Sequence, residues 1–334
     1  VAVAAVRTRG RRPRHIVRTR ALRGRTTVTL MATTVLIPDD DGLRAVSALD
    51  RVRAVRYEPG GPVPPGGADA EILVPGFLAG SAAAALAWEL PKLRLIQLLT
   101  AGAEAWVGRI PEGVLLSTAR GAHGASTAEW ALTGLLTVYR EFTEFAVAQR
   151  EHRWTQHRTD TLHGKRVLIV GAGDLAAEMR RKLAPFDTQV TVVGTRARDG
   201  VHGVDELPDL IPHADAVILT VPVTSRTVGM VDADFLARMH DGAILVNAAR
   251  GPVVRTDALL AELTARRLRA VLDVTDPEPL PADHPLWDAP GLLLTPHVGG
   301  SSRGNVERAY AVAVGEIQRY LAGEPLRNLV AGEY

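Results

Sequence analysis

Runs of three to six apolar residues recur along the chain. They alternate with stretches in which apolar residues return every three or four positions. The first kind reads as strands buried on both faces, the second as helices lying against them. In the first third the pattern predicts strands at 33–38, 55–57, 70–74, 93–98 and 113–117, with helices at 45–52 and 82–90. Asp39, Asp40 and Asp41 read as a turn, and the Pro- and Gly-rich segment 59–67 as a loop. A long helix is predicted from Ser126, as N-cap with Glu129 completing a capping box, to about Gln149. Its apolar residues, among them Trp130, Leu135, Tyr139, Phe142 and Phe145, fall on more than one face. Such a helix must be covered on several sides, between two domains or against a second subunit. Further strands follow at 167–170, 189–193, 216–221, 243–247, 268–273 and 292–295, and a last helix at 304–321. Alternating strands and helices imply parallel sheets, the second of them doubly wound with helices on both faces.

The strand at 167–170 ends in Gly171, Gly173 and Ala176, spaced G-x-G-x-x-A, and a helical pattern then runs through Leu183. The first small residue allows a tight strand-to-helix turn, the second lets a pyrophosphate approach the backbone, and the third packs helix on sheet. Phosphates would sit on the helix N-terminus, where unpaired N–H groups favour an anion. The final helix can return to the first sheet. The domain reading is therefore a substrate domain of 31–124 and 299–334 around a dinucleotide-binding domain of 125–298.

An apolar fraction of 46% against 23% charged residues suits substantial buried cores. With no cysteine, disulfide and thiolate chemistry are excluded, and no apolar run approaches the roughly 20 residues that span a bilayer. The net charge of +2 hides an asymmetry, because residues 1–30 hold nine arginines and no acid while the rest is mildly acidic. That leader could be a nucleic-acid or membrane arm, a transit peptide, or sequence preceding a true start at Met31. The last is the expectation, with the leader disordered in any case.

About twenty positions past the glycines, NAD-binding units carry an acid for the adenosine ribose. Here the place is Gly194-Thr195-Arg196-Ala197-Arg198, without a carboxylate. Arg196 and Arg198 could pair with a 2′-phosphate, so NADP is expected in preference to NAD. Thr100 to Glu104 form a Gly-containing loop after a parallel strand, open to reading as an anion cradle or as an ordinary connection.

Three further segments end strands on the ligand side: NAARG at 247–251, DVTDPEPLP at 273–281 and TPHVGG at 295–300. Together with GAGDLA (171–176), the MHDGAILVNAARG run (239–251) and DHPLW (283–287), they give the chain a close resemblance to the D-isomer-specific 2-hydroxyacid dehydrogenases. The resemblance covers essentially 33–321. It implies a Rossmann-type sheet inserted into a smaller flavodoxin-like α/β substrate domain, and Arg250, Glu278 and His297 as catalytic residues. Each residue suits its task. Arg250 offers a fork for a carboxylate, His297 can move a proton near neutral pH, and Glu278 would hold the histidine tautomer.

The resemblance also implies that Ala101, Gly102 and Ala103 present backbone amides to the substrate carboxylate. Cofactor contacts would come from Gly171, Gly173, Asp174, Leu175, Thr195, Arg196, Arg198, Val221, Pro222 and Thr227. Asp273 would face the nicotinamide carboxamide, and Thr127 the neighbouring phosphate. His123 and Arg120 lie close enough to reach the cleft but have no assigned role. The long helix is the family's usual dimer element, so a cytoplasmic homodimer is expected, with no metal and no nucleic-acid or membrane partner. The expected reaction is reduction of a small 2-oxo acid such as glyoxylate or hydroxypyruvate. The alternatives are a 3-phosphoglycerate dehydrogenase or a non-enzymatic dinucleotide sensor like the family's corepressor relatives. Formate dehydrogenase is disfavoured because Glu278 stands where that branch carries a glutamine.

Overall fold

The computed structural model describes residues 32–77 and 79–331; the expected disordered leader lies outside them. The chain lays down β1 (Thr33–Ile37), α1 (Asp40–Ser47), β2 (Val52–Arg56), β3 (Ala70–Leu73), α2 (Ser81–Trp88), β4 (Leu95–Gln97) and β5 (Leu115–Ser117). These strands form a parallel sheet in the order β2-β1-β3-β4-β5, the flavodoxin-like arrangement. Two helices follow, α3 (Gly124–Tyr139) and α4 (Phe142–Arg150).

The second sheet begins with β6 (Arg166–Val170), α5 (Asp174–Leu183), β7 (Gln189–Gly194), β8 (His202–Gly203) and α6 (Leu207–Leu210). It continues through β9 (Ala216–Leu219), α7 (Ala233–Arg238), β10 (Ile244–Asn247), α8 (Thr256–Thr264), β11 (Arg269–Leu272) and β12 (Leu292–Leu294). The order is β12-β11-β10-β9-β6-β7-β8, all neighbours parallel. The two-residue edge strand β8 has no counterpart in the apolar pattern, because its sequence is His-Gly.

Side chains of this sheet alternate between two cores. Leu168, Val170, Val217, Leu219 and Leu245 pack towards α7 and α8. Val167, Ile169, Ile218, Val246 and Val271 face the other way, towards α3 and α5. Burial of each large aliphatic side chain contributes roughly 1.5–3 kcal/mol, so helices must cover both faces. The last helix, α9 (Asn305–Ala322), returns to the first sheet. There Ala309, Tyr310, Ala313 and Ile317 pack with Val35, Ile37, Ile72 and Leu95. The Tyr310 hydroxyl donates to Asp39 Oδ2 at 2.8 Å. Burial above all, and then this carboxylate, raises its pKa. The two sheets belong to one compact unit.

Three readings of the pattern need correction. The acids at 39–41 do not form a turn. Asp39 caps α1, accepting from Gly42 N at 2.8 Å, and Asp40 and Asp41 occupy the helix's first turn. Carboxylates favour that place because unpaired N–H groups and the helix dipole meet them there. The predicted helix therefore starts earlier, and Val52 already belongs to β2. Likewise the long helix is two. Glu141 takes φ 52°, a left-handed conformation that separates α3 from α4. The capping box is absent as well: α3 starts at Gly124, and the Ser126 hydroxyl donates to His123 O at 3.0 Å inside the first turn.

Candidate active site

From β6 the chain first builds one side of the sheet, β7 and β8, and then crosses to β9 on the other side. Ligands bind outside the carboxyl ends of strands at such a reversal. A cleft of about 1280 Å³ opens there, walled on its far side by segments that follow β3 and β4 of the first sheet.

The glycine turn forms the floor. Gly171 has φ +119°, and a Cβ on it would come within 2.8 Å of the Thr220 carbonyl carbon, so only glycine fits. Its N–H donates to Val193 O at 2.8 Å. Gly173 is the N-cap of α5, with no side-chain cap bond and open space where a Cβ would lie. This geometry fits a pyrophosphate against the helix N-terminus. Asp174 and Leu175 line the cleft, and Asp174 Oδ2 accepts from Gly121 N at 3.1 Å, tying the turn to the approach to α3. After β7, Thr195, Arg196 and Arg198 line the wall, and Arg198 donates to Ala172 O at 3.2 Å. Val221, Pro222 and Thr227 lie opposite; the Thr227 hydroxyl donates to Pro222 O at 2.6 Å and fixes that bend. The residues present therefore fit a dinucleotide.

The reacting end is assembled from the ends of β10, β11 and β12. Asn247 shapes the first turn, its Nδ2 donating to Arg250 O at 2.9 Å and its Oδ1 accepting from Ala249 N at 3.0 Å. Arg250 then projects into the cleft, with Nη1 donating to Ala249 O at 2.7 Å and Nε lying 3.2 Å from Glu104 Oε1. Asp273, 4% exposed, holds the segment after β12. Its Oδ1 accepts from the Thr295 hydroxyl at 2.7 Å and from Val298 N at 2.8 Å, and its Oδ2 from Gly299 N at 2.7 Å. Trp130 of α3 adds an indole N–H to Thr295 Oγ1 at 2.9 Å. Inside this clamp His297 adopts φ 54° and donates its own N–H to Asp273 O at 2.7 Å. Its ring Nδ1 lies 2.6 Å from Glu278 Oε1. The carboxylate can only accept, so Nδ1 carries the proton and Nε2 is the nitrogen left for chemistry. His297 lines the cleft; Glu278 is not among the lining residues.

Most of the residues singled out in the sequence line this one cleft. Ala101, Gly102 and Thr127 stand on its wall, but Ala103 is fully buried in the first sheet's core. Thr127 spends its hydroxyl on His123 O at 3.0 Å. Sequence reasoning missed Glu104, and also the anchoring bonds of Asp273. An acid beside a loop suspected of cradling anions was the available signal for the first. His123 lines the cleft and is 9% exposed. Its Nε2–H donates to Leu99 O at 2.9 Å, while Nδ1 has no partner among the described residues. Burial lowers its pKa, keeping the ring neutral at pH 7.

A doubly wound sheet with this turn and this crevice defines a dinucleotide-binding α/β protein. The family model for the NAD binding domain of D-isomer specific 2-hydroxyacid dehydrogenases matches residues 132–299. The chain belongs to the D-isomer specific 2-hydroxyacid dehydrogenase family. It is similar to the structure of a family member from Xanthobacter autotrophicus Py2 in complex with NADPH and MES, with a TM-score of 0.76 and 29% identity over 90% of this chain and 98% of that one. It is 33% identical over 220 residues to D-3-phosphoglycerate dehydrogenase of Mycobacterium bovis, covering 64% of this chain and 42% of the relative. It is 30% identical over 213 residues to human glyoxylate reductase/hydroxypyruvate reductase, covering 60% and 65%. The chain thus spans less than two thirds of either curated relative.

Replacing Gly171 by Ala should weaken binding of the nicotinamide dinucleotide at least tenfold, because the added methyl must displace the Thr220 backbone. Calorimetric titration checks this; unchanged affinity would show that the turn is not built as described.

Proposed function

We propose that the protein reduces a small 2-oxo acid to the D-2-hydroxy acid, of the glyoxylate and hydroxypyruvate type, with NADPH preferred over NADH. The observation that carries this reading is that His297 lines the same cleft as Arg250 and is held from behind by Glu278, 2.6 Å from its Nδ1. When bound, the nicotinamide supplies the hydride that reduces the keto carbon. Arg250 binds the substrate carboxylate by its fork and polarises the adjacent keto oxygen. His297 gives a proton from Nε2 to that oxygen, and Glu278 stabilises the ring cation before transfer and the tautomer after it. Ala101 and Gly102 border the carboxylate slot with backbone. Asp273 acts through the segment that its carboxylate clamps, which keeps His297 facing the cleft.

The dinucleotide would lie with its pyrophosphate over Gly171, Gly173, Asp174 and Leu175, and its nicotinamide half beside Thr127. Val221, Pro222 and Thr227 flank the adenosine, while Thr195, Arg196 and Arg198 take a 2′-phosphate. No acid stands at 194–198 to repel that phosphate, which supports NADP. The first sheet with α9 serves as the substrate domain, 31–124 and 299–334, and the second sheet as the dinucleotide domain, 125–298. Closure of one upon the other would exclude water. Phe142, 59% exposed, and Trp154, 94% exposed, leave apolar surface beside α4, supporting a homodimer through that face. No helix among the described residues is long and apolar enough to cross a membrane, and the reading places the reaction in the cytoplasm without a nucleic-acid partner.

Turnover of glyoxylate, hydroxypyruvate and pyruvate with each reduced nicotinamide tests the reading. NADPH consumption is expected, falling about 10²–10⁴-fold in His297→Asn. Tight NADPH binding without consumption by any acid would instead identify a dinucleotide sensor. Replacing Arg196 and Arg198 together by Gln should weaken NADPH about tenfold or more while leaving NADH nearly unchanged. Equal losses would remove the 2′-phosphate assignment.

A further inference from the structure

The Arg250 guanidinium already holds a carboxylate, and that carboxylate belongs to the chain itself. Glu104 follows Gly102 by two residues in the loop after β4, and its Oε1 lies 3.2 Å from Arg250 Nε. The pair sits directly over the Gly102 backbone. A Cβ there would lie 2.5 Å from Glu104 Oε2 and would overlap the Arg250 Nη2 position, so both side-chain ends rest on the bare glycine backbone. The slot between Arg250 and the 101–102 backbone, assigned above to the substrate carboxylate, is thus spanned by an internal acid. Both side chains are about a third exposed, 31% and 33%, and both line the cleft.

Beside Arg250 itself, few of the cleft residues contributed by the first sheet's segments carry charge. Among the residues that line the cleft from the segments after β3 and β4, Phe77, Ala79, Gly80, Ala105 and Trp106 carry no charge. Arg120 also lines the cleft and keeps its charge there, with its Nη2 anchored by donating to Arg327 O at 2.8 Å. The arginines at 196, 198 and 226 stand with the dinucleotide turn and the bend after β9.

We propose that Glu104 selects the substrate by charge. The site takes 2-oxo acids with one carboxylate and an uncharged tail, and rejects those carrying a second anionic group, whether phosphate or carboxylate. The inference rests on the assignment of Arg250 to the substrate carboxylate. A monoanionic acid exchanges one carboxylate for another on the same fork. Glu104 shifts aside but cannot leave, because its loop runs against the fork. A second anion on the substrate would then lie within a few ångströms of the displaced Glu104 carboxylate. In a half-buried cleft, that repulsion is screened far less than in water. The phosphorylated acid in the name of the Mycobacterium bovis relative is the kind of substrate this arrangement excludes.

The test uses the full chain with NADPH, as wild type, Glu104→Gln and Glu104→Asp. The kcat/KM is measured for glyoxylate and hydroxypyruvate against 3-phosphohydroxypyruvate and oxaloacetate. Calorimetry in the presence of NADP gives the Kd of oxamate, a monoanion, and of oxalate, a dianion. Wild type should favour monoanions by about a hundredfold. Glu104→Gln should narrow that ratio about tenfold, tighten oxalate more than oxamate, and lower KM for the monoanions because an internal competitor is gone. Glu104→Asp, which keeps the charge, should keep the discrimination. Equal effects of Glu104→Gln on both classes, or a wild-type preference for the dianions, would overturn the inference while leaving the reductase reading intact. If wild type reduced no 2-oxo acid, the reductase reading would fail; the oxamate and oxalate affinities would still decide whether Glu104 discriminates by charge.

Discussion

One buried carboxylate, Asp273, holds the reacting end together. Its two oxygens accept from the Thr295 hydroxyl and from the N–H groups of Val298 and Gly299, and its own carbonyl accepts from His297 N. Charge-assisted bonds of this kind contribute roughly 1.5–3 kcal/mol each, and a buried carboxylate without them would be costly. The segment 295–299 is therefore fixed at both flanks of His297, which can then sit in a left-handed conformation that a free loop would rarely give it. Everything proposed for His297 depends on that clamp, and the 2.6 Å contact with Glu278 is its visible result. Trp130 extends the network into α3, so that helix also supports the segment that carries His297.

The two ends of the cleft carry opposite electrostatic designs. At the dinucleotide end, Arg196 and Arg198 stand without a neighbouring acid in 194–198, the basis on which a 2′-phosphate is proposed there. At the end proposed to hold the substrate, Arg250 is paired with Glu104. With Arg250 on the substrate carboxylate as proposed, the displaced Glu104 would set selectivity by charge count as well as by steric fit. His123, neutral and nine-tenths buried beside the same wall, adds no charge to that balance.

Much of the architecture was legible in the chain. The apolar runs mark both sheets because parallel strands covered on two faces must be nearly all apolar, as Val167 to Val170 are. The glycine turn was legible because only Gly171 permits φ +119° against Thr220. Local polar choices were less so. Asp39 reads equally as turn or cap until the helix that it starts is seen. Ser126 satisfies a capping pattern, yet its hydroxyl turns back to His123. Arg250, Glu278 and His297 came from ordered motifs rather than from periodicity. The contact between Glu104 and Arg250 joins positions 146 residues apart, and no local rule encodes it. The burial of Ala103 was hidden for the same reason: neighbouring residues of a tight loop can face opposite sides.

The most direct measurement is a crystal structure of the protein with NADP and oxamate. The oxamate carboxylate should lie on the Arg250 fork with Glu104 displaced from Nε, and His297 Nε2 within about 3 Å of the amide carbonyl oxygen. Oxamate bound away from Arg250, or a His297 ring turned out of the cleft with Glu104 still paired to Arg250, would contradict it.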